Sequence, residues 1–583
     1  MRLPPTIPSA SAVYLLLGTA LGSLVSEQQN GVPVRQVAII GAGAAGSSAA
    51  SYLQKYASAD GVAVNITIFE KTDRIGGRTL TINPFGDPSI RVELGASIFI
   101  KKNQILHDSL DEFGLKPRDP EDGADPTLGI WDGEKFVFTV DSSDSFWWNA
   151  YKVFRKYGIL APRRTQKLME STIAKFLKLY EAPHFPFRSL TQRAYELDLV
   201  EATGVTGDQL LKANNIGDEY AHDIVQASTR VNYASNLALI HGLDTMVSMA
   251  PEGSMAVAGG NWQIFHKMVE KSGASLVLNT SVVSINFEAN EEHTSERAKY
   301  TLQTKSASVS GDKETYPVLF HDVVIANPFQ YSKISTDDGV IQVPIDEIPY
   351  VQLHVTIFAS PFKYSPAFFG LEDGEAVPGS VLTTLGKDDD PSSGVQGAGS
   401  AGFFSISNLR KVVNPDTKKE EYLYKIFSPE KVTPEFLSGL FGVQVPDTFV
   451  GNTGELDSDT VPISWYYPYV FNSYPKALPR VTFQDPIVGP GVYYTSGMES
   501  FISTMETNAL MGKNVARLIV DDILENLGGA AIVDDGLEED QRPIRFDCDR
   551  AGTNGKENGN EKEIENKDNV LKTRPTEPVF QDI

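Results

Sequence analysis

The chain of 583 residues contains a single cysteine, Cys548, near its C-terminal end. One cysteine excludes an intrachain disulfide and a metal site built from clustered cysteines. It also excludes a cysteine nucleophile in the folded core, because Cys548 lies in a polar terminal stretch. The eight histidines show neither HxH nor HxxxH spacing, so the sequence offers no paired histidines for a metal. We therefore predict that the protein has no metal site.

Positive charge is also scarce. The chain has 51 Lys and Arg residues against 75 Asp and Glu residues, which gives a formal net charge of −24. A chain this acidic has no excess of cations to neutralise the phosphates of a nucleic acid. Its overall charge likewise disfavours electrostatic docking on an anionic membrane. We expect no nucleic-acid partner.

A long apolar run is the third feature that the sequence lacks. The N-terminal run from Ala12 to Val25 is shorter than the ~20 residues that a membrane-spanning helix needs. It follows Arg2 and ends among small residues, which is typical of a secretory signal peptide, with an uncleaved anchor as the alternative. We predict a signal peptide over residues 1–26, no transmembrane anchor after cleavage, and a vacuolar, lysosomal or extracellular destination. Two N-x-S/T triplets are then candidate glycosylation sites, although chance also explains them: Asn65 and Asn279.

The motifs that are present point first to a dinucleotide. A short apolar strand, residues 37–40, runs directly into the sequence Gly-Ala-Gly-Ala-Ala-Gly, which opens a helix-forming stretch. In this order the first glycine allows a tight turn, the second lets the backbone approach a pyrophosphate, and the third lets the helix pack on the strand. The helix N-terminus offers N–H groups to the phosphates. The predicted cofactor-binding residues of this turn are Gly41, Gly43, Ala44, Ala45 and Gly46.

A carboxylate stands where the ribose of such a cofactor is expected. The second strand, residues 64–69, ends at Glu70, roughly twenty positions past the third glycine. An acidic residue at this place accepts hydrogen bonds from the ribose hydroxyls and disfavours a 2′-phosphate. An exposed glutamate beside an unrelated glycine-rich turn is the alternative. We predict that Glu70 binds the cofactor.

The stretch after Glu70 distinguishes flavin from nicotinamide cofactors. Residues 71–78, KTDRIGGR, resemble the paired-glycine motif of the flavoproteins that include amine oxidases, phytoene desaturases and prenylcysteine oxidases. The resemblance implies FAD, with the arginine neutralising a phosphate. Segments 93–97, 282–285 and 491–499 also resemble parts of these proteins that contact the flavin, the adenine and the ribityl chain. The cofactor-binding residues implied in this way are Lys71, Gly77, Arg78, Gly95, Ala96, Ser97, Val282, Val283, Gly497 and Glu499.

The order of these patterns predicts an α/β protein with a Rossmann-type FAD-binding domain of the GR2-like flavoprotein kind. Interleaved with it, we expect an α+β substrate domain that contains a large mixed or antiparallel sheet. The FAD-binding domain is predicted at residues 34–110, 251–330 and 486–528. The other predicted regions are a helical cap of the substrate domain at 111–250, the substrate-domain sheet at 331–485, and a disordered acidic tail at 529–583.

Three further segments resemble the prenylcysteine oxidase (prenylcysteine lyase) family in particular. They are residues 230–233, RVNY; residues 254–261, SMAVAGGN; and residues 497–499 with Met505 and Glu506. The resemblance covers residues 34–525 and implies an S-prenyl-L-cysteine substrate, farnesyl or geranylgeranyl. It implies that FAD takes a hydride from the prenyl carbon next to sulfur and that water then adds. The products are cysteine and a prenyl aldehyde, and O₂ becomes H₂O₂.

The residues that handle protons and substrate are only candidates at this stage. His241 and Tyr233 lie in or beside the family-like segment, and either is a candidate for catalysis or a packed core residue. Arg230 binds the substrate carboxylate or stabilises the fold. Two other functions stay open. One is an FAD-dependent oxidase of an amine or of a thioether from secondary metabolism, and the other is a catalytically silent flavoprotein that carries prenyl lipids.

Overall fold

The computed structural model describes residues 28–29, 32–119, 123–250, 253–288, 299–307, 313–391, 397–450 and 461–531. The predicted signal peptide at 1–26 lies outside the described residues. So does the predicted acidic tail, except for its first three residues, which end a helix. Across the described ranges, no helix combines the length and the apolar character needed to cross a membrane.

A mostly parallel sheet organises the first half of the fold. All neighbouring strands are parallel except the last pair, and Gln28–Gln29 adds a short antiparallel pairing to the third strand. The strand order is Ser275–Val277, Ala63–Phe69, Val32–Ile40, Asp322–Ile325, Val492–Tyr494 and Ile487–Gly489. These strands come from distant parts of the chain, and the helices Ala44–Asp60 and Trp262–Ser272 pack together beside them. The predicted Rossmann-type α/β fold is confirmed.

The central strand is apolar at successive positions because both of its faces are covered. Val37 and Ile39 belong to the core formed with the helices, while Ala38 and Ile40 belong to the core on the opposite face. That second core is shared with a small four-stranded sheet. Strands buried on both faces have continuous apolar runs rather than alternating ones. The small sheet contains Glu314–Thr315, Tyr300–Ser306, Thr280–Phe287 and Ser335–Thr336.

The register of the parallel sheet brings several strand ends to one edge. Ile40 pairs with Phe69 on one side and with Ile325 on the other, and Ile325 pairs with Tyr494. The chain therefore leaves these strands at the same level, and their following residues face a common space. In parallel α/β sheets this carboxyl edge is where ligands bind. The residues that begin there are Gly41, Glu70, Ala326 and Thr495.

A second, larger sheet forms the other half of the fold. Its order is Trp465–Pro475, Tyr350–Ser360, Glu420–Ser428, Ser405–Val413, Ser380–Thr383, Thr127–Trp131 and Phe136–Asp141. All pairings are antiparallel except the one between Ser380–Thr383 and Thr127–Trp131. The prediction of a large mixed sheet is thus confirmed. The hairpin 127–141, which we had placed in the helical cap, extends this sheet instead because its first strand pairs with residues 380–383.

Most of the remaining helices lie in one stretch of the chain, between the hairpin 127–141 and the strands of the small sheet. Buried apolar residues of most of these helices share one core with the C-terminal helix Met505–Ala531, whereas helix Phe146–Tyr157 exposes four aromatic side chains. The side-chain amide of Asn514 accepts from the N–H of Phe187 and donates to its C=O, each at 2.8 Å. The helices are Phe146–Tyr157, Leu160–Leu177, Leu190–Glu196, Val200–Thr203, Gly207–Ala213, Asp218–Tyr220, Gln226–Tyr233 and Gly242–Ser248. Gln104–Phe113 precedes this cluster, and Pro434–Phe441 packs on the larger sheet.

A buried carboxylate joins three of these parts. The N–H groups of Ile105 and Leu106, at the start of helix Gln104–Phe113, donate to Glu506 at 2.9 and 3.0 Å. The Tyr180 hydroxyl donates to the same carboxylate at 2.8 Å. No side chain of the helix itself caps this terminus, so Glu506 satisfies donors that burial would otherwise leave unpaired. Burial raises the pKa of Glu506 to about 7 although the three donors oppose the shift.

This pKa predicts a pH-dependent stability difference. An unfolded glutamate has a pKa of 4.5, so the contribution of Glu506 to the free energy of unfolding is complete below that pH and is lost as the pH rises through 7. The unfolding free energy of the wild type minus that of Glu506→Gln should fall by about 3 kcal/mol across this range. Urea titrations at several pH values measure it. The exposed Glu112→Gln is the control, and a pH-independent difference for Glu506 would contradict the assignment.

Candidate active site

A cleft of about 450 Å³ opens at the carboxyl edge of the parallel sheet. Its volume lies within the range of sites that bind small molecules and cofactors. One end is lined by residues of the glycine-rich turn and of the second strand, and the other end is lined by residues of the larger sheet. The lining residues on the larger sheet are Tyr350, Tyr469, Phe471, Asn472, Ser473 and Tyr474.

The glycine-rich turn is closed by contacts that only glycine permits. Gly41 has φ +110°, and a Cβ there would lie 2.9 Å from the backbone oxygen of Ala326. A Cβ on Gly46 would lie 1.9 Å from the oxygen of Gly41, so the helix can begin this close to the strand only without a side chain. The helix Ala44–Asp60 has no side-chain cap and no acidic residue in its first turn. Its N-terminus therefore faces the cleft as a positive end suited to phosphate.

Glu70 is fixed at the end of the second strand by three donors. Its Oε2 accepts from the N–H of Ala42 at 2.9 Å, and its Oε1 accepts from the N–H and hydroxyl of Thr72, each at 2.9 Å. The side chain is buried and lines the cleft. Each carboxylate oxygen has two lone pairs, so Oε2, which accepts one hydrogen bond, keeps acceptor capacity for a ribose hydroxyl.

The paired glycines, Gly76 and Gly77, pack directly against the first glycine-rich turn. The N–H of Gly76 donates to the oxygen of Ala42 at 2.9 Å, and a Cβ on Gly77 would lie 3.1 Å from the Cα of Gly43. Both residues have positive φ, +118° for Gly76 and +58° for Gly77. The two glycine segments thus form one continuous backbone wall, which leaves the cleft open to an elongated ligand.

Arg78 and Glu499 form an ion pair where the two halves of the cleft meet. Arg78 Nη2 donates to Glu499 Oε2 at 2.7 Å, and its Nη1 donates to the backbone oxygen of Ser473 at 2.9 Å. The Tyr350 hydroxyl donates to the same oxygen of Glu499 at 2.9 Å. The Glu499 side chain is 1% exposed and that of Arg78 is 33% exposed. Burial lowers the pKa of Arg78, but the Glu499 carboxylate and the hydroxyls of Tyr350 and Tyr474 together raise it above its ordinary value, so the guanidinium stays charged.

Two buried ionisable residues, Lys425 and Glu93, support the wall from behind. Lys425 Nζ donates to the backbone oxygen of Glu93 at 2.7 Å and to Ser97 Oγ at 3.3 Å. The N–H of Asn261 donates to the Glu93 carboxylate at 2.7 Å. Burial raises the pKa of Glu93 to about 7 and lowers that of Lys425 to about 8. Glu93 and Ser97 lie on either side of residues 95 and 96 in the chain. Their contacts with Lys425 therefore hold that part of the cleft wall against the larger sheet.

Most residues predicted to bind FAD line this cleft. Those that do are Gly41, Gly43, Ala44, Ala45, Glu70, Lys71, Gly77, Arg78, Gly95, Ala96, Val282 and Glu499. The other four lie outside the lining: Gly46 behind the turn, Ser97 bonded to Lys425, Val283 on its strand, and Gly497 packed against Gln484. The glycines among these four shape the backbone rather than the cleft surface.

His241 and Tyr233 do not line the cleft. The Nδ1 atom of His241 accepts from the N–H of Asp244 at 3.2 Å and thereby caps the helix Gly242–Ser248. Burial lowers the pKa of His241 to about 4, so its ring is neutral at neutral pH. Tyr233 is buried and its ring packs edge-on against Tyr474, with the centroids 5.8 Å apart. The structure therefore places both residues in the core behind the cleft wall, which is the alternative that the sequence left open.

Arg230 has no donor left for a substrate. It is fully buried, and its five N–H groups are engaged by protein oxygens. These bonds join helix Gln226–Tyr233 to strand Ser380–Thr383 and the segment after it, and the predicted substrate-binding role is corrected to a structural one. The acceptors are Thr383 Oγ1, Asn236 Oδ1 and the backbone oxygens of Gly397, Ala398 and Phe403.

Two groups of site residues were missed from the sequence. The first is the aromatic wall on the strand Trp465–Pro475, whose sequence WYYPYVFNSYP signals a strand but not which face is a ligand wall. The second is Lys425, a single cation within the otherwise apolar core of the strand EEYLYKIFS. A lysine in such a place needs a buried partner, and that signal would have identified it.

The Arg78–Glu499 pair should show strong energetic coupling. Arg78→Met leaves the Glu499 carboxylate buried without its cation and should lower the unfolding free energy by about 2–3 kcal/mol. Adding Glu499→Gln removes that charge and should restore part of the loss. Urea unfolding of the wild type, both single variants and the double variant measures the coupling. Additive effects would contradict the pair as described.

The structural role of Arg230 predicts a loss of stability without a loss of substrate affinity. Arg230→Lys keeps the charge but supplies fewer donors in a different geometry, and should lower the unfolding free energy by about 3 kcal/mol. The KM of the folded variant for its substrate should stay within about twofold of the wild type. Thermal unfolding and steady-state kinetics test the two halves of the prediction. A raised KM with unchanged stability would instead indicate that Arg230 binds the substrate.

Comparisons with known families agree with this architecture. The NAD(P)-binding Rossmann-like domain matches residues 39–113, which contain both glycine motifs and Glu70. The prenylcysteine lyase family matches residues 140–530, which include the C-terminal helix and the larger sheet except for its hairpin at 127–141. Among solved structures, putrescine oxidase bound to putrescine is 17% identical, with a TM-score of 0.48, and the match covers 84% of this chain and 100% of that one.

Curated relatives match almost the whole chain. Farnesylcysteine lyase of Arabidopsis thaliana is 29% identical over 530 residues, which cover 88% of this chain and 93% of the relative. Prenylcysteine oxidase 1 of Bos taurus is 26% identical over 530 residues, which cover 88% of this chain and 95% of the relative. Because the match to the prenylcysteine lyase family spans well over half of this chain, the chain belongs to that family.

Proposed function

We propose that the protein is an FAD-dependent thioether oxidase that cleaves S-prenyl-L-cysteine to cysteine and a prenyl aldehyde. One observation carries the proposal: a single cleft is lined at one end by the glycine turns and Glu70, and at the other by the aromatic side chains of the larger sheet. A polar dinucleotide and an apolar chain therefore fit end to end. Family membership and the names of the relatives support the same substrate class.

The residues at the first end suit FAD. The uncapped helix N-terminus and the glycine walls fit a pyrophosphate, because a Cβ at Gly41 or Gly46 would collide with the turn that forms the cradle. Glu70 keeps acceptor capacity for the ribose of the adenosine. Val282 lines the cleft near this end and fits the adenine. Arg78 supplies a fixed positive charge next to the phosphates or the ribityl hydroxyls, while Glu499 offers the ribityl hydroxyls an acceptor.

Bound FAD supplies the two-electron oxidation of the carbon next to sulfur, with dioxygen as the final acceptor. The chain's own contribution is orientation and exclusion of bulk water. Tyr469, Phe471 and Tyr474 give the prenyl chain an apolar wall, and their strand Trp465–Pro475 is held along its length by antiparallel pairing with Tyr350–Ser360. The bonds from Arg78 and Tyr350 to Glu499 hold the junction between the two halves in one geometry.

We also propose a secretory destination, vacuolar, lysosomal or extracellular, on the basis of the predicted signal peptide. Two observations bear on the candidate glycosylation sites. Asn279 is exposed at a turn with φ +52°, whereas Asn65 is partly buried within the strand Ala63–Phe69. Of the two, Asn279 is the accessible position for a glycan.

Anaerobic reduction of the bound flavin tests the proposed function. Purified holoprotein mixed with S-farnesyl-L-cysteine should lose the visible absorbance of oxidised flavin and regain it when O₂ is admitted. Farnesal, free cysteine and H₂O₂ should appear in equal amounts. S-Hexyl-L-cysteine, which lacks the allylic carbon, serves as a control and should reduce the flavin far more slowly.

Each remaining outcome selects another function. Reduction by amines but not by prenyl thioethers would replace the proposal with an amine oxidase. A flavin that binds prenylcysteine but is never reduced would indicate a lipid carrier. A protein that retains no FAD would contradict the cofactor assignment, and Glu70→Ala is the variant that should reproduce that loss.

A further inference from the structure

One helix presents its aromatic side chains to solvent. In helix Phe146–Tyr157, the exposed fractions are 80% for Trp147, 51% for Trp148, 47% for Tyr151 and 57% for Phe154. Residues three, four and seven positions apart lie on the same face of a helix, and such spacings relate these four side chains. The turn that follows adds Ile159 and Leu160, which are 62% and 58% exposed. We call these six residues the aromatic patch.

The helix is attached to the fold through its other face, which is largely polar. Lys156 Nζ donates to Asp223 Oδ2 at 2.7 Å, and the Tyr157 hydroxyl donates to the same oxygen at 2.9 Å. The amide of Asn149 donates to the backbone oxygen of Asp141 at 2.8 Å. These bonds fix the rotation of the helix about its axis. The outward direction of the aromatic patch is therefore set by specific contacts on the opposite side.

The chain segment that carries the aromatic patch is rich in basic residues, although the protein as a whole is acidic. Residues 145–169 contain six basic residues and no Asp or Glu, although the whole chain has a net charge of −24. Four of these cations, Arg155, Arg163, Arg164 and Lys167, are exposed, whereas Lys152 and Lys156 form ion pairs with Asp144 and Asp223. Overall charge led us to expect no electrostatic docking on anionic membranes. That expectation rests on total charge, whereas the potential at one surface depends on local charge, because it decays within about a Debye length, ~8 Å in physiological salt.

We infer that the aromatic patch docks on a phospholipid bilayer. Trp, Tyr, Phe and Leu side chains would enter the boundary between headgroups and acyl chains, where amphipathic rings are favoured. Arg155, Arg163 and Lys167 would contact anionic headgroups. A second copy of the chain is a poorer occupant, because a two-fold contact through this patch would place the same basic residues against each other. The inference rests on surface residues alone and does not depend on the proposed function.

Flotation with lipid vesicles tests this inference. The purified holoprotein should float with vesicles of phosphatidylcholine and phosphatidylserine, and the fluorescence of its tryptophans should shift to shorter wavelength. The variant Trp147→Ser, Trp148→Ser, Tyr151→Ser, Phe154→Ser should bind at least ~tenfold more weakly. It retains the same N-terminal apolar run as the wild type, so the comparison isolates the aromatic patch. Tyr195→Ser with Val413→Ser removes exposed apolar side chains elsewhere and should leave binding unchanged.

A charge variant separates the contribution of the basic residues to vesicle binding from that of the aromatic side chains. Arg155→Gln, Arg163→Gln, Lys167→Gln should abolish the extra affinity for phosphatidylserine at low salt while keeping the binding to phosphatidylcholine alone. Because all these positions are exposed, the variants should keep the wild-type thermal unfolding midpoint, which confirms that they fold. A wild type that does not float, or a serine variant that floats equally well, would overturn the inference. So would a wild type that is dimeric through the patch and does not bind vesicles.

Discussion

The fold depends on a buried carboxylate at the junction of its two halves. Glu499 comes from the C-terminal segment, and it receives hydrogen bonds from Arg78 of the glycine-motif region and from Tyr350 of the larger sheet. Arg78 in turn donates to the backbone of Ser473 on the edge strand of that sheet. A buried carboxylate without these partners would destabilise the protein by several kcal/mol. Four distant segments of the chain therefore meet at the Arg78–Glu499 ion pair, which lies where the two halves of the cleft join.

Local rules were enough to predict the cofactor end of the cleft. The turn at Gly41 and the packing at Gly46 have steric requirements that leave a sequence signature, and Glu70 ends a strand at a recognisable distance. The strand Val32–Ile40 is continuously apolar because both its faces are buried. Each of these features involves neighbours in sequence or a repeating pattern. The resemblance to known flavoproteins then added Arg78 and Glu499, whose contact joins residues far apart in the chain.

The substrate end was less predictable because tertiary packing decides it. Arg230 and His241 are polar residues in a family-like segment and were therefore candidates for the site. In the structure, Arg230 donates to buried carbonyl groups and His241 caps a helix. Conversely, Tyr469 and Phe471 look like any other strand residues, and only the position of their strand makes them part of a ligand wall. The hairpin at 127–141 joined the larger sheet through a parallel pairing that no local pattern indicates. Total charge also concealed the basic surroundings of the aromatic patch, since it averages over the whole chain.

The central claim is that the cleft oxidises the prenyl carbon next to sulfur rather than the carbon that carries the amine. Kinetic isotope effects test it most directly. Flavin reduction should be several-fold slower when deuterium replaces hydrogen on the prenyl carbon bonded to sulfur, and unchanged when deuterium is placed on the α-carbon of cysteine. The reverse pattern would contradict the account and would indicate amine oxidation in the same cleft.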